Sequence, residues 1–230
     1  MDATAIQAKV YAGYAKAAQY VGLPFAIYRP AYTGDALGGG GWVRGVDGPI
    51  IWGGPVTTLN SSFTPAASGF NFEKAPAHKD VLFNTLIDGS KVEVGDYLVG
   101  AADTYFVASR QPLLPILSVR CNRTISISQA GPSKTYGAQT AYAGTTPANE
   151  QIAVQGCPAS VLFDARGRAT EVGLPLDLPS PFYSILLPAI AGQDIRTGYL
   201  VTDDQDRDYV VSASELTGLG WRIFAQLAVT

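Results

Sequence analysis

Residues 87–107 have the sequence IDGSKVEVGDYLVGAADTYFV, and residues 190–211 have the sequence IAGQDIRTGYLVTDDQDRDYVV. Apolar and glycine positions of the first stretch recur in the second at an offset of 103 residues, and a Tyr-x-Val pair then recurs at 104. The matched pairs are Ile87 with Ile190, Gly89 with Gly192, Val92 with Ile195, Gly95 with Gly198, Tyr105 with Tyr209, and Val107 with Val211. Each copy has the pattern of strands separated by glycine turns. The repeat predicts two related small β units, each closing part of a barrel or a sandwich.

The rest of the chain after residue 68 is also typical of strands separated by turns. Pro and Gly recur there at short intervals, without a convincing helical period. Alternation is clearest where every second residue from Trp221 to Val229 is apolar, and around Ile125 and Ile127. We therefore predict a mainly β fold, with an N-terminal helix followed by two related β-barrel or β-sandwich units and with a long Gly-rich arm.

Residues 3–21 carry the one clear helical pattern, because apolar side chains recur there at three- and four-residue steps. These side chains are Ile6, Val10, Tyr14, Ala17 and Val21. Gly22 and Pro24 then supply a left-handed stop and a residue that cannot continue the helix. Gly13 costs up to about 1 kcal/mol relative to Ala in mid-helix, which predicts a close tertiary approach at this helix.

A glycine-dominated stretch follows a short predicted strand at residues 25–29. Glycine occupies positions 38–41, 48, 53 and 54. We interpret the stretch as an arm that a partner orders, with four apolar residues as anchors. The predicted anchors are Trp42, Ile50, Ile51 and Trp52. A β-hairpin folded onto its own domain is the alternative.

These patterns divide the chain into four parts. Residues 1–68 form the N-terminal helix and the Gly-rich arm, and residues 69–130 form the first β unit. Residues 131–150 form a linker, which is rich in Ala, Gly, Thr, Tyr and Gln and has few charges. Residues 151–230 form the second β unit.

The composition favours an assembly over a free monomer. Hydrophobic residues make up 47% of the chain and charged residues only 15%, against roughly 25% in an average soluble domain. An ordinary globular protein with an uncharged polar exterior is the alternative. The net charge of -3 and the lack of a Lys/Arg cluster argue against direct nucleic-acid binding. We also expect no membrane span and no secretory leader, and therefore a chain made and kept in the cytoplasm.

Histidine-based catalysis would have to use His78, the only histidine, which reads as a turn residue. Asp204, Asp206, Asp208 and Glu215 have part of the spacing of a calcium loop. Tyr209 stands where that loop needs glycine, however, so a hairpin turn is the better interpretation.

The remaining candidates for chemistry are also weak. Asp88, Glu93, Asp96 and Asp103 could form a carboxylate pair of the glycosidase kind, but all lie beside glycines or predicted turns. Residues 131–135 lack the glycine that a phosphate-binding loop requires before its lysine. We therefore predict no catalytic residues, no cofactor and no metal, and a protein that is not an enzyme.

Two further sets of residues lead to predictions. Cys121 and Cys157 are too few for a disulfide framework and are expected to be buried free thiols. Arg110, Arg120 and Arg123 are close in sequence in a chain with few charges. They are candidates for ion pairs with a neighbouring subunit, and a solvated face is the alternative.

Several short sequence segments resemble those of a known protein family. They are YVGLP at 20–24, YRP at 28–30, VGDYL at 94–98, TYFVA at 104–108, QPLLP at 111–115, TGYLV at 197–201, YVVS at 209–212 and LGWR at 219–222. With these strings the chain resembles tailed-phage and prophage virion proteins encoded among the tail and baseplate genes of contractile-tailed phages. One departure is Tyr199, which stands where the first copy of the repeat has Asp96.

The resemblance implies a baseplate or tube-proximal protein, present in the virion tail as a ring of copies. Its partners would be copies of itself and the tube, hub or wedge proteins, and assembly would take place in the host cytoplasm. A head-to-tail connector (neck) protein is one alternative, because a helix followed by a small β-barrel suits a joint equally well. A carbohydrate-binding β module that uses Trp42 and Trp52 as sugar platforms is another.

Overall fold

The computed structural model describes residues 3–29, 42–43, 51–52, 55–66, 81–130, 150–164, 181–190 and 194–228. Within these ranges the chain forms one helix and fourteen strands. The helix is α1 (Ala3–Val21), and the strands up to the middle of the chain are β1 (Leu23–Tyr28), β2 (Trp42–Val43), β3 (Ile51–Trp52), β4 (Thr57–Pro65), β5 (Leu82–Leu86), β6 (Tyr97–Val99), β7 (Thr104–Ser109) and β8 (Ile116–Cys121). The later strands are β9 (Arg123–Ala130), β10 (Glu150–Phe163), β11 (Phe182–Leu187), β12 (Leu200–Asp203), β13 (Asp208–Thr217) and β14 (Gly220–Leu227).

Twelve of the strands close into two six-stranded barrels. The first barrel has the order β1-β4-β5-β8-β7-β6, and the second has the order β9-β10-β11-β14-β13-β12. When the strands of each barrel are counted in chain order, the two orders are identical. The prediction of a mainly β fold with an N-terminal helix and two related β-barrel units is therefore confirmed, and the structure selects barrels over sandwiches.

The two barrels also share their strand register. In the first, Ile27 pairs with Leu98, which pairs with Tyr105; in the second, Ile127 pairs with Val201, which pairs with Tyr209. A β-bulge interrupts the same strand in both barrels, between Val107 and Ser109 and between Val211 and Ala213. Residues of these strands therefore have defined counterparts, although β10 carries two irregularities opposite β9 that β4 lacks opposite β1.

The matched glycines form the same turn in both barrels. Gly95 and Gly198 have φ angles of 93° and 87°, in the left-handed region that favours glycine. The amide of Gly95 donates to the carbonyl of Val107, and that of Gly198 donates to the carbonyl of Val211, each at 2.8 Å. The repeat recognised in the sequence is thus a structural repeat at these positions.

The start of the sequence repeat needs a correction. Thr85 pairs with Ile116 in the first barrel, and its counterpart Ile185 pairs with Ile223 in the second. Ile87 therefore corresponds to Leu187 and not to Ile190, and both counterparts are fully buried. Additional residues between β11 and β12 cause the shift. Gly192 lies outside the described residues.

Helix α1 covers one side of the first barrel, and its predicted extent, residues 3–21, is confirmed. The helix packs against β4 and β5 and buries Tyr11 and Ala18. The helix ends where the amide of Gly22 donates to the carbonyl of Ala18 at 2.8 Å. The predicted left-handed conformation is wrong, because Gly22 has no positive φ; a Cβ atom there would instead lie 2.9 Å from the backbone nitrogen of Ser61. The close approach expected at Gly13 is absent within the described residues, because a Cβ atom placed there has no neighbour within 4 Å.

The barrels join at Asn122, the single residue between β8 and β9. Its backbone amide donates to Ala159 at 3.0 Å, and its side chain exchanges two hydrogen bonds with the backbone of Val161, at 2.7 and 2.9 Å. The first barrel contains β1 and β4, from the part assigned to the helix and arm, and the second contains β9, from the part assigned to the first unit. The predicted linker lies outside the described residues except for Glu150, where β10 begins.

The outer face of the first barrel completes the core of the second. Tyr97, Phe106 and Val119 point away from the interior of their own barrel and belong to the hydrophobic cluster that fills the second. All three are at most 1% exposed. The counterparts of Phe106 and Val119 in the second barrel are Val210, which is 42% exposed, and the polar Gln226. The third counterpart, Leu200 for Tyr97, is only partly buried, so this face is fully buried on the first barrel and partly exposed on the second.

Candidate functional site at the junction of the barrels

A polar groove of about 680 Å³ runs along the junction of the two barrels. Both barrels contribute charged residues to its walls. They are Asp103 in the turn before β7, Arg120 near the end of β8, Arg123 at the start of β9 and Asp204 in the turn after β12. The buried hydroxyl of Ser160 also lines this groove and has no hydrogen-bond partner among the described residues.

The structure brings two of the three predicted interface arginines into this polar groove. Arg120 donates to Asp103 through Nε at 3.1 Å and through Nη2 at 2.6 Å. Arg123 has only long contacts, with Nε 4.0 Å from Asp203 and 3.9 Å from Asp204. Within the described chain, Arg120 is therefore held by a short ion pair and Arg123 by weaker electrostatic attraction.

The third predicted arginine, Arg110, lies at the helix. Its Nη1 donates to the carbonyls of Gly89 and Val92 at 3.1 and 2.7 Å. Its guanidinium also lies over the ring of Tyr11, 5.9 Å from the centroid. Arg110 thus ties α1 to the first barrel, away from the other two arginines.

The acidic turn after β12 is organised around the carboxylate of Asp203. One carboxylate oxygen of Asp203 accepts hydrogen bonds from the amides of Gln205 and Arg207 at 2.9 and 3.0 Å, and the other accepts from the hydroxyl of Tyr209 at 2.8 Å. Burial raises the pKa of Asp203, but these hydrogen bonds outweigh it and hold the pKa below its ordinary value. Among the residues that the structure describes, no group of three His, Cys, Asp or Glu side chains is placed to hold a metal.

Replacing Asp203 with Asn is expected to lower the free energy of unfolding at pH 7 by about 1.5–3 kcal/mol, because charge-assisted hydrogen bonds are lost from a buried turn. Since the folded pKa is depressed, the stabilisation is present above the unfolded value of about 3.9 and is lost as the pH falls through the folded value. Urea denaturation of the wild type and the Asp203→Asn variant between pH 7 and pH 3 measures this loss of stability. The matched control is Asp204→Asn, at a side chain that is 44% exposed. Equal losses for the two variants would contradict the assignment.

Both thiols are free, as predicted, but they differ in exposure: Cys157 is buried and Cys121 only partly so. The hydroxyl of Tyr97, from the first barrel, lies 2.9 Å from Cys157 Sγ and donates to the carbonyl of Pro158 at 3.0 Å. Burial raises the pKa of Cys157 to about 12, despite an opposing effect of the hydrogen bond with Tyr97. Cys157 is therefore a packing residue of the junction and not a nucleophile.

In the folded protein, Cys157 is expected to react with iodoacetamide at pH 8 about 10³-fold more slowly than in the unfolded chain, because so little of it is thiolate. Mass spectrometry of a Cys121→Ser variant, sampled over hours with and without urea, isolates this thiol. Equal rates in the two conditions would show that Cys157 is accessible.

The carboxylates considered for acid–base chemistry have structural partners. Asp96 is 1% exposed and accepts two hydrogen bonds from Arg29, from Nε and Nη2, each at 2.9 Å. Asp96 also accepts from the backbone amide of Glu93 at 2.7 Å, and the Glu93 carboxylate lies 2.8 Å from Arg29 Nη1. Asp88 accepts hydrogen bonds from the amide and the hydroxyl of Ser90. In the second barrel, the counterparts of Arg29 and Asp96 are Gln129 and Tyr199, and the hydroxyl of Tyr199 donates to Gln129 at 2.6 Å.

An apolar groove of about 920 Å³ continues the junction on another side. The first barrel contributes Leu82 and Val119, and the second contributes Leu162 and Phe163 at the end of β10, Leu186 on β11, and Leu219 and Trp221 at the β13–β14 turn. Phe163 is 60% exposed and Leu219 is 39% exposed. The indole Nε1 of Trp221 is buried without a hydrogen-bond partner among the described residues.

This apolar groove was not predicted from the sequence. The alternation near the C-terminus did identify Trp221 as an inward residue, and it is 7% exposed. The groove arises where β5 and β8 of one barrel meet β10, β11 and β14 of the other, and no local pattern carries that information.

Three of the four predicted anchors of the arm lie in a short two-stranded sheet, and the fourth lies outside the described residues. Trp42 pairs with Trp52, and Val43 pairs with Ile51, in β2 and β3, of which the backbone alone is described. Ile50 lies outside the described residues, as do His78 and residues 131–135.

Comparison of the chain with protein families, with curated proteins and with solved structures finds no match in any of the three. A search of the described residues for a helix with the length and apolarity needed to cross a bilayer finds none.

Proposed function

We propose that this chain is a structural component of a phage tail, in the baseplate of a contractile tail, where a ring of copies joins the tube or hub to the surrounding proteins. The observation that carries the proposal is the junction of the two barrels. There a single hydrophobic cluster includes residues of both barrels, and the described residues leave an apolar groove beside it. Packed barrels with an apolar groove between them suit a protein that works by docking.

The closed barrels support docking through faces and grooves instead of through strand edges. In each barrel every strand has two neighbours, so the barrel wall offers no free edge for an added strand. The low charge of the chain, 15%, supports extensive contact with protein partners. The resemblance of strings on β1, β6, β7, β12, β13 and β14 to virion proteins supports the tail as the place of that contact.

The experiment is to purify tailed particles from the bacterium that encodes the chain and to locate it by mass spectrometry and electron microscopy. We expect the chain in the sedimented particles, with an antibody against it marking the baseplate end of the tail. Labelling at the head–tail joint would instead establish a neck protein. Absence of the chain from every particle would refute the proposal.

A further inference from the structure

We propose that helix α1 is an autoinhibitory cap, which covers a surface of the first barrel that would otherwise receive the second barrel of another copy. When α1 is displaced, copies join barrel to barrel. This role for α1 goes beyond the proposed function and does not depend on it, because it follows from a contact that repeats within the chain.

The contact that repeats is the junction of the two barrels. The face of the first barrel at this junction, here called the joining face, consists of Tyr97, Phe106 and Val119. Beside it, β8 packs against β10, and the hydroxyl of Tyr97 lies 2.9 Å from Cys157 Sγ. The surface along β10 therefore receives the face of a neighbouring barrel.

On the first barrel, α1 takes the place that the first barrel takes on the second. The element before β9 is β8 of the first barrel, and the element before β1 is α1. The shared register makes Gly22 the counterpart of Asn122, and Ser61 that of Ala159. Asn122 donates to the backbone of Ala159, and Gly22 lies against the backbone of Ser61. Both connections thus bring the preceding element onto the equivalent strand, β10 in one barrel and β4 in the other.

Tyr11 does for the first barrel what the joining face does for the second. It is the residue of α1 within the hydrophobic cluster of the first barrel, and Leu59 and Phe63 of β4 pack against that cluster. Their counterparts on β10 are Cys157 and Val161, which lie in the cluster that the joining face completes. Each barrel thus has the same receiving surface, covered by a helix in the first and by a barrel in the second.

The helix covers its receiving surface less completely than the barrel does. Only Tyr11 and Ala18 of the nineteen residues of α1 are buried, and Tyr11 is still 9% exposed. The side-chain nitrogen of Gln7 is buried without a hydrogen-bond partner among the described residues. The joining face buries a tyrosine, a phenylalanine and a valine, each at most 1% exposed. Because less apolar surface is buried under α1, lifting the helix costs less free energy than separating the barrels.

The second barrel carries a second version of the joining face. The counterparts of Tyr97, Phe106 and Val119 are Leu200, Val210 and Gln226. Val210 is 42% exposed, and the other two are partly buried. None of these three side chains is charged, so covering them requires no desolvation of an ion.

The described chain therefore has one open face, on the second barrel, and one covered receiving surface, on the first. A contact between them in two copies is heterologous, so copies would add in line or close into a ring when the rotation permits. While α1 stays on β4, it blocks this addition, as a capping element does at the end of a repeat array.

The experiment mixes two forms of the full-length chain and measures mass by sedimentation and native mass spectrometry. The first form is the double variant Ala18→Glu with Val210→Asp. Its helix is forced off β4 by a carboxylate at a side chain that is 1% exposed, and its own open face is blocked. The second form is the wild type, whose open face is intact. At about 100 µM we expect a 1:1 dimer that neither protein forms alone.

The controls change the second form. Val210→Asp in that protein should weaken the dimer at least about 10-fold, because it places a charge in the contact. Leu216→Asp, at a 58% exposed side chain further along β13, is the matched control and should bind like the wild type. An excess of a synthetic peptide of residues 1–22 should compete with the second form for the receiving surface.

A second variant guards against loss of the fold. Tyr11→Ala, in place of Ala18→Glu, removes the helix side chain from the cluster and should give the same dimer. Circular dichroism checks that each variant keeps its strands. A folded double variant that stays monomeric beside the wild type overturns the inference. Equal binding by Val210→Asp and Leu216→Asp also overturns it, because the contact would then not use the proposed face.

Discussion

Replacing Asp96 with alanine is expected to lower the free energy of unfolding by about 3–5 kcal/mol, the cost typical of removing one partner from a buried ion pair. The carboxylate is 1% exposed and accepts both a two-point hydrogen bond from Arg29 and a bond from the amide of Glu93. Without it, the amide of Glu93 loses its acceptor, and Arg29, whose side chain is 34% exposed, keeps only the exposed carboxylate of Glu93 as a partner. Guanidinium chloride denaturation at pH 7 measures the loss.

The second barrel suggests a double substitution that should restore part of the stability lost in the Asp96 variant. There the same two positions hold Gln129 and Tyr199, joined by a neutral hydrogen bond. The double variant Arg29→Gln with Asp96→Tyr should therefore recover at least about 1 kcal/mol relative to the sum of the single substitutions, as contacting residues do in double-mutant cycles. Glu93→Gln, at a side chain that is 63% exposed, is the control and should cost at most about 1 kcal/mol. Strict additivity of the two substitutions would show that they do not act as a pair.

Tyr97→Ala is expected to destabilise the protein by about 3–5 kcal/mol, the range for truncating a large aromatic side chain in a core. Tyr97 is fully buried, and it reaches from the first barrel into the core of the second, where its hydroxyl donates to Pro158. Because it links the barrels, we also expect one cooperative unfolding transition to separate into two. Calorimetry together with denaturation followed by fluorescence measures both effects.

Tyr97→Phe separates packing from hydrogen bonding in this residue. It keeps the ring and removes the hydroxyl, so the expected loss is about 0.5–1.5 kcal/mol. Leu200, the counterpart of Tyr97 on the second barrel, is only partly buried, and Leu200→Ala should cost less than Tyr97→Ala and leave the coupling of the barrels unchanged. A loss for Leu200→Ala as large as that for Tyr97→Ala would contradict the special role of the joining face.

Features that depend on local spacing could be predicted from the sequence. Helix α1 has its predicted extent because its apolar period is local. The strands at Ile125 and Ile127 and at Trp221 follow from alternation, and all three residues are buried. The turn glycines Gly95 and Gly198 were matched correctly, since a positive φ restricts the choice of residue.

Features that depend on how the strands close into barrels could not be predicted from the sequence. The first barrel needs β1 and β4, which lie before the repeat recognised in the sequence, and their pairing with β5 and β6 is long-range. The junction at Asn122 has none of the glycine or proline signals of a linker, because the two barrels are packed together. Ile87 was matched with Ile190 because additional residues precede Ile195 in the second copy, which a constant offset cannot follow.

The candidate site was predicted only in its charged part. Arg120 and Arg123 are close in sequence and do reach one groove, while Arg110 lies at the start of the β7–β8 turn, beside the helix. Leu162, Leu186 and Leu219 come from three elements of the second barrel, so their meeting in one apolar groove has no sequence signal.

The different partners of Arg29 and Gln129 affect which strands pair with each other while the two barrels fold. Two barrels with one register invite exchange, in which a strand completes the wrong barrel. If β6 were to pair with β9, Asp96 would lie beside Gln129, and a carboxylate would be enclosed without a cation. If β12 were to pair with β1, the guanidinium of Arg29 would face the phenol of Tyr199. The first error would leave the buried carboxylate of Asp96 unpaired at a cost of several kcal/mol, and the second would leave the partly exposed Arg29 without that carboxylate. The different polar pairs therefore favour the correct assignment of these strands to their barrels.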